Sequence, residues 1–255
     1  VRTARLAVSQ VRYVNTAFWR NPSRAFFTFA FPLMFLVIFT ALLGNGTVDI
    51  GSLTVKQSTY YVAAMAAFGV ISACYTNLAM TTAFQRDSGL LKQIDGTALP
   101  STSFHLGRIL HAMAMGALLV VITAAFGHLV YQAEIPTGVT LVQVLVMMVV
   151  GSAAFCALGL AISAAVPNAD AAPAIVNASI LPLLFISGIF IPFGNDTPNW
   201  IQWVSKVFPV RHFALGMQAG FLGTPFHWSD VAVVAAWGLG GLLLAARFFT
   251  WEPRR

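Results

Sequence analysis

The chain has 255 residues, 58% of them hydrophobic and 9% charged, with a formal net charge of +6 and a mean hydropathy of +0.79. Soluble domains carry about 25% charged residues, so this composition excludes one and requires lipid around the chain. The two cysteines, Cys74 and Cys156, both fall in apolar runs, which excludes a disulfide framework or a zinc site and leaves them as small packing residues.

In chain order the first element is amphipathic. At 100° per residue Ala4, Ala7, Val8, Val11, Val14 and Phe18 share one face, with Arg2, Arg5, Arg12 and Arg20 roughly opposite. The pattern predicts an interfacial helix within residues 1–24, lying along the inner membrane surface and ended by Asn21-Pro22. The apolar run that follows is too long for a signal peptide and has no obvious cleavage site, so it is expected to be a retained span.

A bilayer core of about 30 Å needs roughly 20 apolar residues of helix. Six runs meet that length, at about 25–44, 59–83, 106–130, 139–165, 171–192 and 229–250. The expected fold is therefore an all-α membrane protein of six transmembrane helices, a single transmembrane domain over 1–255. The second run is polar in its second half, with Ser72, Tyr75, Thr76, Asn77, Thr81 and Thr82. The fifth carries Pro173 and Pro182, tolerated in membrane helices whose neighbours satisfy the freed carbonyls. Ala153, Ala157, Ala161 and Ala165 form a small-residue ridge suited to close helix approach. His111 and His128 have no nearby ligands in the sequence.

Six spans place both termini on one side. Arg2, Arg5, Arg12, Arg20, Arg24, Arg86, Lys92, Arg108, Arg247, Arg254 and Arg255 fall there, against Lys56, Lys206 and Arg211 on the other. The bias places both termini and residues 84–105 in the cytoplasm, which accounts for the basic charge without nucleic acid. All eight acidic residues can be placed outside the spans, which argues against an ion-coupled carrier. No clustered base, nucleophile or metal set stands out, so no enzymatic activity is expected. No phosphate-cradling glycine loop with its lysine occurs either, and any ATP must be bound by another polypeptide. The polar positions Thr76, Asn77, Asn177 and Ser179 are the candidate substrate path, because polar side chains in a membrane are usually buried at an interior or interface.

Three stretches carry a family likeness. "WRNPSRAFFTFAFPLMF" (19–35) leads from the interfacial helix into the first span. "FQRDSGLLKQIDGTALP" (84–100) is a charged insert between apolar runs. "SGIFIPFGNDTPNWIQWVSKVFPVRHFALGMQ" (187–218) is a proline- and tryptophan-bearing stretch after the fifth span. In this order the chain resembles type-2 ABC transporter permeases, most of all drug-export permeases of the daunorubicin-resistance kind. Gln85 stands where that family usually has a glutamate.

The resemblance implies that 84–105 holds a cytoplasmic coupling helix docking on a separate ABC ATPase through Gln85, Arg86, Asp87, Gly89, Leu90, Leu91, Lys92 and Ile94. It implies re-entrant extracellular helices within 193–228, marked by Pro192, Pro198, Trp200, Trp203 and Pro209. It implies a dimer with a second permease copy or a paralogue, no cofactor in this chain, ATP and magnesium on the ATPase, and a place in the bacterial inner membrane. The expected function is export of amphipathic or lipophilic compounds. Export of a lipid-linked polysaccharide, or a stand-alone channel or secondary transporter, are the alternatives.

Overall fold

The computed structural model describes residues 2–44, 46–50, 53–97, 99–193 and 197–250; Asp196, Glu252, Arg254 and Arg255 lie outside the described residues. The helices are α1 (Arg2–Trp19), α2 (Pro22–Leu43), α3 (Gln57–Ile71), α4 (Leu78–Asp87), α5 (Leu90–Asp95), α6 (Ser101–Tyr131), α7 (Val139–Ala165), α8 (Ala172–Phe185), α9 (Asn199–Val207), α10 (Pro209–Leu222) and α11 (Trp228–Phe248). A π-helical turn, Ser72–Asn77, joins α3 to α4, so Gln57–Asp87 is one rod of 31 residues. An antiparallel hairpin, β1 (Thr47–Ile50) and β2 (Leu53–Lys56), pairs Thr47 with Lys56 and Ile50 with Leu53. The hairpin, built on β-branched residues that favour strands, was not anticipated.

Among the described residues five helices are long and apolar enough to cross a membrane: Pro22–Leu42, Gln57–Asp87, Ser101–Tyr131, Val139–Ala165 and Trp228–Phe248. This corrects the expectation of six. The run 171–192 yields only α8, of 14 residues, or about 21 Å of helix against about 30 Å of hydrocarbon. Pro182 removes one backbone donor inside it. The chain then turns at Gly188, whose φ of 82° is a conformation natural to glycine.

The charged insert is likewise not one coupling helix. α4 ends at Asp87, Gly89 takes φ of 75°, and α5 is six residues long. Glycine in the left-handed region stops one helix and redirects the next. The segment expected to be re-entrant forms, in its described part, two helices meeting at Phe208, with α10 packed into the bundle. α1 is not a helix held by lipid alone. Ala7 and Phe18 are buried, and α1 lies so close to α6 that a Cβ added at Gly107 would fall 2.4 Å from the Gln10 Cβ.

The rod is the centre of the molecule: every residue from Gln57 to Ile71 is buried. Small residues at its contacts allow this, as they do where helices associate in lipid. A Cβ at Gly127 of α6 would lie 2.1 Å from Val62 Cγ2, and one at Gly159 of α7 would lie 2.8 Å from the Tyr75 carbonyl oxygen. α7 and α11 meet at Ala154 against Gly238 and at Leu158 against Gly241. That seam is offset from the predicted alanine ridge, whose Ala153 and Ala165 are exposed.

Two ends of the bundle can be distinguished. At one, Asp87 accepts a hydrogen bond from the Ala169 amide at 3.1 Å, and the His105 and Phe249 rings meet at 4.9 Å. At the other, the Tyr60 hydroxyl donates to the Gly188 carbonyl, and Thr59 Oγ1 accepts from the Glu134 amide at 3.2 Å. The last residues of α11 therefore share an end with α4 and the start of α6.

Candidate functional site

The π turn brings the polar half of the rod against two other helices. Thr76, Asn77 and Asn177 line one groove of about 460 Å³ between α2, the rod and α8. Arg24, Thr28 and Ser72 add polar groups to walls that are mostly apolar, with Phe27, Phe31, Phe68 and Leu181. Three of the four predicted path residues are thus brought together. Ser179 is not: two positions along α8 it points about 200° away. Its hydroxyl sits 2.7 Å from that of Tyr75, in a cleft of about 490 Å³ reaching α7, α10 and α11.

Asn77 is also held by a basic residue. Arg24 Nη2 donates to Asn77 Oδ1 at 2.7 Å, and Arg24 is set at the start of α2 by the Asn21 side chain, which accepts from the Arg24 amide at 3.0 Å. Beside it Arg108 donates to Gln85 Oε1. Arg24, Arg108 and His111 line a small pocket of about 120 Å³ roofed by α1. The sequence does not reveal this cluster, because it presents both arginines as topogenic charges and His111 as a lone residue. Their spacing, 24 against 108 and 111, left no local signal.

The residues expected to contact an ATPase divide into two kinds. Arg86 is 1% exposed and donates to the Ser163 carbonyl at 2.9 Å and to the Val166 carbonyl. It caps the end of α7, where carbonyls lack helical partners and a cation complements the helix dipole. Leu91 is fully buried. Asp87 and Lys92 are exposed, while Gln85, Gly89, Leu90 and Ile94 are half-buried. Of the residues expected to make that contact, Asp87 and Lys92 are the exposed ones, and Arg86 and Leu91 are turned inward.

On the opposite side of the chain, Pro198 precedes α9 and Pro209 opens α10, where a missing N–H costs no bond. Trp200 and Trp203 are exposed and Pro192 is half-buried. A contact without a sequence signal ties this region together. His212 places Nδ1 2.6 Å from Asp230 Oδ1 and Nε2 2.8 Å from the Lys206 carbonyl oxygen, joining α9, α10 and the start of α11. Among the described residues no group of three or more His, Cys, Asp or Glu is arranged to hold a metal.

Residues 9–222 match the family described as ABC-2 type transporter. The chain is also 21% identical over 221 residues to the transport permease ycf38 of Porphyra purpurea, an alignment covering 86% of this chain and 75% of that protein. With the family match running through all but the last of the long helices, this protein belongs to the ABC-2 type transporter family, as a multi-pass membrane permease.

Proposed function

We propose that this chain is the transport subunit of an ATP-driven exporter. It moves amphipathic or lipophilic compounds, drugs and antibiotics among them, out of a bacterial cell, and a separate ABC ATPase supplies the energy. The observation that carries this reading is the α2–rod–α8 groove, where Thr76, Asn77 and Asn177 offer hydrogen bonds among aromatic and aliphatic walls. Sites for amphipathic ligands have this character, mostly apolar with a few placed polar groups. The end of the bundle holding Arg24, Arg86 and Arg108 faces the cytoplasm, following the basic bias. There Asp87 and Lys92 form the outward surface for the ATPase, and a second permease copy or a paralogue completes the complex.

The test is purification of the permease from cells that co-express a candidate ABC ATPase, followed by reconstitution. ATPase that co-purifies and hydrolyses ATP faster when amphipathic compounds are present supports the reading. Asn77→Leu and Asn177→Leu should change which compounds stimulate turnover while the complex stays assembled. A permease that purifies without an ATPase and moves solute down an ion gradient would sink it.

A further inference from the structure

The pocket under α1 is unusual for its charge. Two guanidiniums, Arg24 and Arg108, line it together with His111. Arg108 is buried, at 6% exposed, and Arg24 is half-buried. Each guanidinium is bonded to a neutral amide oxygen, Asn77 for one and Gln85 for the other, and neither is bonded to a carboxylate among the described residues. Arg24 and Arg108 otherwise lie over the faces of Phe18 and Phe104 at 5.7 and 5.4 Å. Buried cations normally acquire an opposite charge, because amide dipoles do not offset their lost hydration. A guanidinium carries five donors in a planar fork matched to carboxylate or phosphate oxygens. The pocket, at about 120 Å³, has room for one such head.

The pocket also has an apolar continuation. Arg24 and Asn77 line both it and the 460 Å³ groove walled by Phe27, Phe31, Phe68 and Leu181. We infer that the two form one site for an amphiphile with an anionic phosphate head, the head held by Arg24 and Arg108 and the chain lying in the groove. This deepens the reading of that groove as the cargo path and rests on it. It names the class of cargo: a single-headed phosphate amphiphile rather than a neutral or cationic one.

The experiment is equilibrium binding to the purified protein in dodecyl maltoside, with dodecyl phosphate, dodecyl trimethylammonium and inorganic phosphate as probes. Dodecyl phosphate should bind, the ammonium amphiphile should not, and inorganic phosphate should compete only weakly. Arg24→Gln and Arg108→Gln should each weaken dodecyl phosphate by about tenfold or more, the loss of a charge-assisted contact. Arg12→Gln, at an exposed position of α1, should leave it unchanged. Arg24→Gln keeps an amide able to bond Asn77, so its elution profile and thermal midpoint distinguish lost binding from lost fold. Equal affinity for inorganic and dodecyl phosphate would refute the joined head-and-tail site. Wild-type affinity in a folded Arg24→Gln would refute the head pocket, as would equal weakening by Arg12→Gln. Binding is read without transport, so phosphate-amphiphile binding in a protein that exports nothing would refute the cargo path and leave the site standing.

Discussion

Arg86→Ala is expected to act on the fold before it acts on any partner. The guanidinium is 1% exposed and supplies donors to the carbonyls of Ser163 and Val166, at the end of α7. Charge-assisted bonds of this kind contribute about 1.5–3 kcal/mol each, and removing the buried cation recovers part of its desolvation cost. The net loss should be about 3 kcal/mol. For a chain of this size, about 2–4 °C per kcal/mol gives a fall in thermal midpoint of about 6–12 °C. Arg86→Met restores volume without donors and should lose nearly as much, whereas Arg86→Lys should recover part of the loss. The assay is thermal unfolding in detergent followed by size-exclusion chromatography, with ATPase co-purification measured well below the midpoint. Under those conditions Arg86→Ala should still bind ATPase, and Lys92→Ala, altering an exposed charge, should weaken binding several-fold at an unchanged midpoint. A wild-type midpoint for Arg86→Ala would refute the capping argument, and full recovery in Arg86→Met would reduce it to packing.

Other substitutions check the helix seams and the orientation. Gly159→Ala sets a Cβ 2.8 Å from a carbonyl oxygen of the π turn, whereas nothing lies within 4 Å of a Cβ at Gly240. Thermal midpoints should fall for the first, by about 1–3 kcal/mol of strain, and hold or rise slightly for the second; equal effects would contradict the close approach of α7 to the rod. In intact cells, with Cys74 and Cys156 replaced by alanine, a cysteine at Thr137 should react with an impermeant thiol reagent and one at Lys92 should not. Labelling at Lys92 from outside would overturn the proposed orientation.

The long helices were legible because about 20 apolar residues in a row have few alternatives in lipid. The span that failed, 171–192, failed for a local backbone reason that hydropathy does not register: α8 stops at Phe185 and the chain turns at Gly188. The charged insert misled differently. Arg86 and Leu91 look outward-facing in a segment of mixed charge, yet the chain brings the open end of α7 to Arg86 across 77 residues. That Thr76, Asn77 and Asn177 line one groove was legible from composition alone, because unexplained polarity in a span has to face something other than lipid. Arg24 and Arg108 were hidden by a sufficient explanation: counting basic residues for topology leaves no reason to ask whether two of them face each other across a pocket.

The π turn at Ser72–Asn77 also sets a phase. A regular α-helix advances 100° per residue, and a π turn takes up one residue more than an α turn would. Wound regularly throughout, the 31 residues of the rod would carry everything past Asn77 about 100° around the axis. Arg86 would then turn away from Ser163, and Gln85 away from Arg108. The extra residue lets the upper half of the rod keep its all-buried face while the lower half answers to a different ring of neighbours. Shortening the turn by one residue would leave both halves docked and rearrange only the side chains between them. The polar lining at residues 76 and 77 is thus the one stretch of the central helix that can be recut without disturbing either end.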